Sequence, residues 1–275
     1  MKVGIFDSGI GGLSVLHEAY HLLDDVEYMF YADLDHVPYG LKTIEQIKEY
    51  SKKNVEFLLE RGAKAIVVAC NTATAAAIED LRRDYKSVPI LGMEPAVKPA
   101  VEETSDKRRI MVIATPVTIR ENKLAHLLEK VDGDHRVDLM PMPGLVEFAE
   151  NEEFESDRVY KYLEENFSKF DTDKYQALVL GCTHFNYFKP LYRQFFHKDL
   201  MIIDGNHGTI KHLAEICNLQ IKEKANKDIL FKDADDFIKY GNIEYFVSGR
   251  AINEKKPLNH VVRLLNRLEA VRGDI

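Results

Sequence analysis

The sequence predicts an α/β protein with two pseudosymmetric α/β lobes, whose largely parallel sheets face each other across a cleft. Three observations carry this. Short apolar runs alternate with amphipathic helical stretches from the second residue onward, the pattern of a parallel sheet wound with helices. The alternation starts over near residue 97. The stretch Ala65-Ile66-Val67-Val68-Ala69-Cys70-Asn71-Thr72-Ala73-Thr74 also has an echo at Ala177-Leu178-Val179-Leu180-Gly181-Cys182-Thr183-His184. Each reads as a buried parallel strand that ends in a thiol and small polar side chains.

Taken in order, Val3–Phe6 is a short strand, followed by Asp7-Ser8-Gly9-Ile10-Gly11-Gly12 and a helix with Leu13, Leu16, Tyr20 and Leu23 on one stripe. Tyr28–Ala32 is the second strand, and the loop after it, with Asp33, Asp35 and His36, reads as solvated. A long charged helix covers about Thr43 to Arg61, stopped by Gly62. The Cys70 strand leads to a helix over Thr74–Tyr85, and Val88–Leu91 is the fourth strand. In the second round Arg109–Ile113 is a strand, Ile119–Val131 an amphipathic helix, His135–Met140 a strand and Ser156–Phe170 a helix. After the Cys182 strand come a helix near Leu191–Phe196 and a strand at Leu200–Ile203.

The spacing supports an internal duplication: 63 residues separate Asp7 from Cys70, and 67 separate Thr115 from Cys182. The first lobe is expected to hold residues 1–96 and 208–275, and the second 97–207. The tail holds more helix, including Pro257–Val271, and is expected to pack back on the first lobe. That helix suits either the core or a homodimer interface.

Composition narrows the function. A length of 275 residues with 45% hydrophobic and 30% charged residues is ordinary for a globular chain with room for a sizeable core. A net charge of −8 argues against a nucleic-acid surface or a basic membrane patch. No run approaches the ~18 apolar residues of a membrane span. The chain enters a strand at once, without a signal-peptide pattern, and three cysteines without a disulfide framework suggest a reducing cytoplasm.

In open α/β sheets ligands bind beyond the carboxyl ends of the strands. Asp7, Ser8, Cys70, Asn71, Thr72, Thr115, Cys182, Thr183 and His184 all fall at such ends. A thiol near a helix N-terminus has its pKa lowered, and that terminus also favours a bound carboxylate. Cys217, on a helix face, reads as a small hydrophobe. Gly9-Ile10-Gly11-Gly12 is a weak nucleotide signal, because Ser14 stands where the third glycine belongs, and a tight turn explains it. His184 beside Cys182 reads as a thiol-activating acid/base, a zinc ligand or a satisfied loop histidine, but Cys182 and His184 alone lack the ligand count of a zinc site, so no metal is expected. Glu147, Glu150, Glu152 and Glu153 read as an exposed acidic run. Two opposed thiols suit inversion of a stereocentre: a thiolate removes a proton from one face while a thiol delivers one to the other.

The segments Phe6-Asp7-Ser8-Gly9, Val37-Pro38-Tyr39-Gly40, Ala69-Cys70-Asn71-Thr72-Ala73, Glu94-Pro95-Ala96 and Gly181-Cys182-Thr183-His184 resemble the glutamate racemase family, in the family's order. The resemblance covers Lys2 to about Asp204. It implies two α/β lobes and cofactor-independent proton transfer between L- and D-glutamate, the D-enantiomer feeding peptidoglycan synthesis. By motif, Cys70 deprotonates D-glutamate and Cys182 L-glutamate, with Asp7 and His184 assisting and a further assisting glutamate falling on Glu150. Ser8, Tyr39, Gly40, Asn71, Thr72, Thr115, Thr118, Thr183 and His184 are the implied substrate contacts. The chain departs from the family pattern at Phe185-Asn186, where Tyr-Pro is usual, and at Pro116 and Glu121. These departures leave open a related acidic substrate such as aspartate. Two other classes remain at this point: a thiol amidohydrolase using Cys182 and His184, and a non-catalytic amino-acid-binding protein.

Overall fold

The computed structural model describes residues 1–104, 108–222 and 231–272. The ten strands among them are β1 (Lys2–Asp7), β2 (Glu27–Ala32), β3 (Ala65–Val68), β4 (Ile90–Gly92), β5 (Arg109–Ala114), β6 (Val137–Pro141), β7 (Tyr175–Gly181), β8 (Met201–Asp204), β9 (Ile243–Val247) and β10 (Arg250–Ala251). They form two sheets, ordered β10-β9-β2-β1-β3-β4 and β6-β5-β7-β8. The repeat is visible in the topology. The order β2-β1-β3-β4 in one sheet corresponds strand for strand to β6-β5-β7-β8 in the other, and every pair in both runs is parallel. Cys70 and Cys182 follow equivalent strands, β3 and β7.

The apolar runs behave as strands buried on both faces. Val3 and Ile5 of β1 face one core cluster and Phe6 the other, and β3 splits the same way, with Ala65 and Val67 against Ile66 and Val68. The first of these cores continues through both sheets, taking in Met111, Ile113, Leu178 and Leu180 of the second. Phe185, Tyr187 and Phe188, just past Cys182, are buried in it with Leu258, Val261 and Leu265 of the C-terminal helix. The lobes are therefore fused along one side by shared apolar packing and meet at their strand ends on the other.

The long helix spans Ile44–Glu60, and Gly62 beyond it sits at φ 93°, the left-handed stop expected of glycine. Its start carries a capping box between Thr43 and Gln46. Thr43→Ala should lower unfolding free energy by about 0.5–2 kcal/mol in a denaturant titration, with the m-value unchanged.

Several elements depart from the sequence reading. The helix after Cys70 begins at Asn71, not Thr74, with the Cys70 sulfur as its N-cap. The stretch read as one helix over Ile119–Val131 is two, Pro116–Arg120 and Asn122–Val131, because Glu121 adopts extended backbone between them. After Cys182 the chain forms a 3₁₀ run, Thr183–Phe188, and then a short helix, Lys189–Tyr192, so no α-helix N-terminus lies directly at that thiol. The tail contributes strands as well as helix: β9 pairs in parallel with β2 and extends the first sheet. Its last helix, Lys255–Arg272, packs on both Leu13–Leu22 and the Thr183–Phe188 run. Among the described residues no helix is long and apolar enough to cross a membrane.

Candidate active site

The order β2-β1-β3 places a topological switch point between β1 and β3, and β6-β5-β7 places its counterpart between β5 and β7. Asp7 ends β1 beside Cys70, which follows β3, and the link between them is direct: the Ala69 amide donates to the Phe6 carbonyl at 2.9 Å. Ala114 ends β5 opposite Gly181 of β7, which sets Thr115 beside Cys182 in the same way.

The two halves then lock across the cleft in a reciprocal pattern. The Thr183 hydroxyl donates to Asp7 Oδ2 at 2.9 Å. The Thr72 and Thr115 hydroxyls are 2.9 Å apart, and Thr118 is 3.0 Å beyond Thr115. In each case a threonine just after one lobe's cysteine bonds the residue at the end of the other lobe's first strand. The sequence placed these residues at strand ends, but their crossed pairing is a finding of the tertiary structure.

Around Cys70 the donors are short-range. The Ala73 amide donates to Cys70 Sγ at 3.5 Å, and the thiol lies 3.7 Å from the Ser8 hydroxyl. Asp7 Oδ1 accepts from the Gly9 amide at 2.9 Å and from Ser8. Burial, reinforced by the Asp7 carboxylate, pushes the Cys70 thiol up to about 12. Burial also raises Asp7, against the opposing pull of His184. The Asn71 amide donates to the Met93 carbonyl at 3.2 Å, anchoring the helix start.

Around Cys182 the arrangement is different. His184 Nδ1 lies 3.7 Å from Cys182 Sγ, while its Nε2 is 2.6 Å from Glu150 Oε1. Burial disfavours the charged ring, but its hydrogen bonds to Cys182 and Glu150 outweigh this and hold His184 well above the ordinary histidine range. The same Glu150 oxygen accepts from the Ile10 amide at 2.9 Å. Of the acidic run, Glu147 and Glu152 are exposed as expected, whereas Glu150 turns inward. The contrast gives the cleft two unlike ends: a thiol beside a carboxylate, and a thiol beside a histidine that holds a proton.

Asp33 corrects the reading of its loop as solvated. It is 2% exposed, accepts from the Tyr39 hydroxyl at 2.6 Å and lies 2.8 Å from His36 Nδ1. Asn54 donates in turn to the Tyr39 oxygen at 3.1 Å. This network fixes the segment whose Gly40 packs on Thr115, where an added β-carbon would lie 3.0 Å from the threonine Cβ.

The glycine loop has a role that spacing did not reveal. A β-carbon on Gly11 would overlap His184 Nδ1 and Thr183 Oγ1, and one on Gly9 would overlap the Glu150 carboxylate. The tightness is demanded by side chains from a segment more than a hundred residues away, so only the folded chain displays it. Gly11→Ala should cut turnover roughly 100-fold by displacing His184, with the far-ultraviolet circular dichroism unchanged. Wild-type kcat in that variant would show that the His184 position is unimportant.

Both thiols are enclosed, Cys70 5% and Cys182 6% exposed, with Asp7, Ser8, Thr72, Thr115, Thr118, Thr183 and His184 buried around them. No structural reason ties Cys217 to this site; it ends the helix Asn206–Cys217 and packs at the edge of the core.

Residues 14–213 match the family model described as Asp/Glu/Hydantoin racemase. A glutamate racemase of Lachnospira eligens is 47% identical over 273 residues, covering 99% of each chain. Glutamate racemase 2 of Bacillus subtilis is 43% identical, covering 98% of this chain and 97% of its own. Among solved structures, the glutamate racemase of Campylobacter jejuni superposes with a TM-score of 0.76 at 28% identity, over 97% of this chain and 98% of that one. With the fold, the paired strand-end thiols and full-length relatives in agreement, the chain belongs to the Asp/Glu/hydantoin racemase family.

Proposed function

We propose that the protein interconverts L- and D-glutamate by proton transfer between two thiols, without a cofactor. The observation that carries this reading is the pair of buried cysteines at equivalent strand ends, whose neighbouring threonines bond across to the other lobe. In the forward reaction the Cys182 thiolate takes the α-proton of L-glutamate, so that the Cα–H bond breaks and its electron pair stays on the substrate as a carbanion. The Cys70 thiol gives its proton to the opposite face, forming D-glutamate and a Cys70 thiolate. The reverse reaction starts from that state.

The unlike ends of the cleft support the starting state. His184 holds a proton 3.7 Å from Cys182. Burial and Asp7 hold Cys70 in its thiol form. Asp7 is assigned to accept and return a proton beside Cys70, with Glu150 orienting and charging His184. The Ser8, Thr72, Thr115, Thr118 and Thr183 hydroxyls, the Tyr39–Gly40 segment and the Asn71 side chain are assigned to the substrate's carboxylates and amine. In the cell the product would supply D-glutamate for peptidoglycan from the cytoplasm.

The direct test is L-glutamate with the metal-free protein in D2O, without added pyridoxal phosphate. D-glutamate carrying α-deuterium should accumulate to an equal mixture. Inertness toward glutamate alongside turnover of aspartate would shift the substrate to the shorter acid.

One geometric feature favours a second reading. Cys182, His184 and Glu150 are aligned as a nucleophile, base and orienting carboxylate would be. A thiol amidohydrolase built on them needs no second thiol, and it predicts a trappable thioester together with mild effects of Cys70→Ser.

A further inference from the structure

Away from the cleft, two histidines stand one turn apart on the helix Leu13–Leu22 and face a carboxylate of the C-terminal helix. His17 Nε2 and His21 Nε2 each lie 2.7 Å from the same oxygen, Oε2 of Glu269. His17 is 6% and His21 1% exposed, so the group is set into the helix–helix interface rather than lying on the surface. None of the three takes part in the proton transfer described above.

One feature sets this cluster apart from an ordinary polar contact, its donor set. Histidines at i and i+4 on one helix face plus a carboxylate from a second element are ligands of a three-residue zinc site, and the three donor atoms all lie within 4.8 Å of one another. A cavity of about 220 Å³ lies alongside His17, lined also by Ser14, Glu18, His207, Leu268 and Arg272. It is ample for the water that completes a tetrahedral shell.

We infer that His17, His21 and Glu269 form a binding site for one divalent ion of the zinc class, joining the first helix of the chain to its last. Binding moves each ring proton from Nε2 to Nδ1 and puts the freed lone pairs and the carboxylate oxygen on the ion, with no net proton released. The ion is structural. The helix it would fix also carries Arg267, which donates to the Tyr187 carbonyl at 3.3 Å in the 3₁₀ run that holds His184. Ion binding would therefore stiffen the fused side of the two lobes.

The test uses chelator-stripped full-length protein with both reactive thiols replaced, Cys70→Ser and Cys182→Ser, so that they cannot take the metal. Titration with zinc chloride in a calorimeter should give one site per chain and a raised melting temperature. Cobalt(II) should give tetrahedral ligand-field bands without a thiolate charge-transfer band. His21→Gln and, separately, Glu269→Gln should each weaken binding more than about 100-fold, beyond what an outer-shell group controls. The spectrum of the protein with its histidines intact stands whether or not those variants fold. The inference is overturned by absence of stoichiometric binding in the double-serine protein, or by binding that survives loss of His21 and Glu269 unchanged in folded variants.

Discussion

Cys70→Ser and Cys182→Ser should each lower racemisation roughly 10²–10⁴-fold, the range of a positioned acid or base. A serine hydroxyl has the size to fill either site, but it is far too weak an acid to rest as an alkoxide near pH 7. The loss must be equal for the two directions in kcat/KM, because the equilibrium constant between enantiomers is one. The asymmetry appears instead in isotope wash-in. In Cys182→Ser the remaining Cys70 can still take the α-proton of D-glutamate and return deuterium to the same face. D-glutamate should then exchange in D2O faster than it inverts, while L-glutamate should not. Cys70→Ser should show the mirror result. Equal wash-in of both enantiomers in both variants would sink the division of faces between the thiols, and full activity in either would sink the two-thiol mechanism.

The second large effect is expected at the Cys182 end. His184→Asn removes the protonated ring that lies 3.7 Å from Cys182, and turnover should fall roughly 10²-fold or more. Glu150→Gln is the milder probe. It keeps the shape of the side chain and its bond with the Ile10 amide but removes the charge that helps hold His184 protonated. The pH profile separates this from simple misfolding. A histidine raised in the folded state contributes stability that is fully present below its ordinary pKa and is lost as pH rises through the raised value. Wild-type activity and stability should therefore decline on the alkaline side, above the ordinary histidine range. In Glu150→Gln that alkaline limb should move to lower pH. An unmoved limb would remove His184 from control of the thiol.

How far the chain could be read in advance depended on the range of the interactions involved. Strand β3 and the long helix at Ile44–Glu60 were legible because burial periodicity and caps are local, written within a few residues. The break at Glu121 was missed because the amphipathic period runs on through it. The 3₁₀ run after Cys182 was missed because Phe185, Tyr187 and Phe188 are held by the C-terminal helix rather than by their own neighbours. Asp33 looked like a solvated acid because nothing nearby in sequence announces that Tyr39 folds over it.

By itself the sequence determined the alternation of strands and helices, the duplication, and the two thiols at matching strand ends, since each follows from residue type at fixed local spacing. The tertiary structure alone decided which groups complete the site. Thr183 reaches Asp7, Thr72 reaches Thr115, and Glu150 reaches His184, each across a gap in sequence that no periodicity encodes. It also made the two ends chemically unlike, because burial and neighbouring charge, which set the proton on Cys70 and on His184, exist only once the lobes have closed on each other.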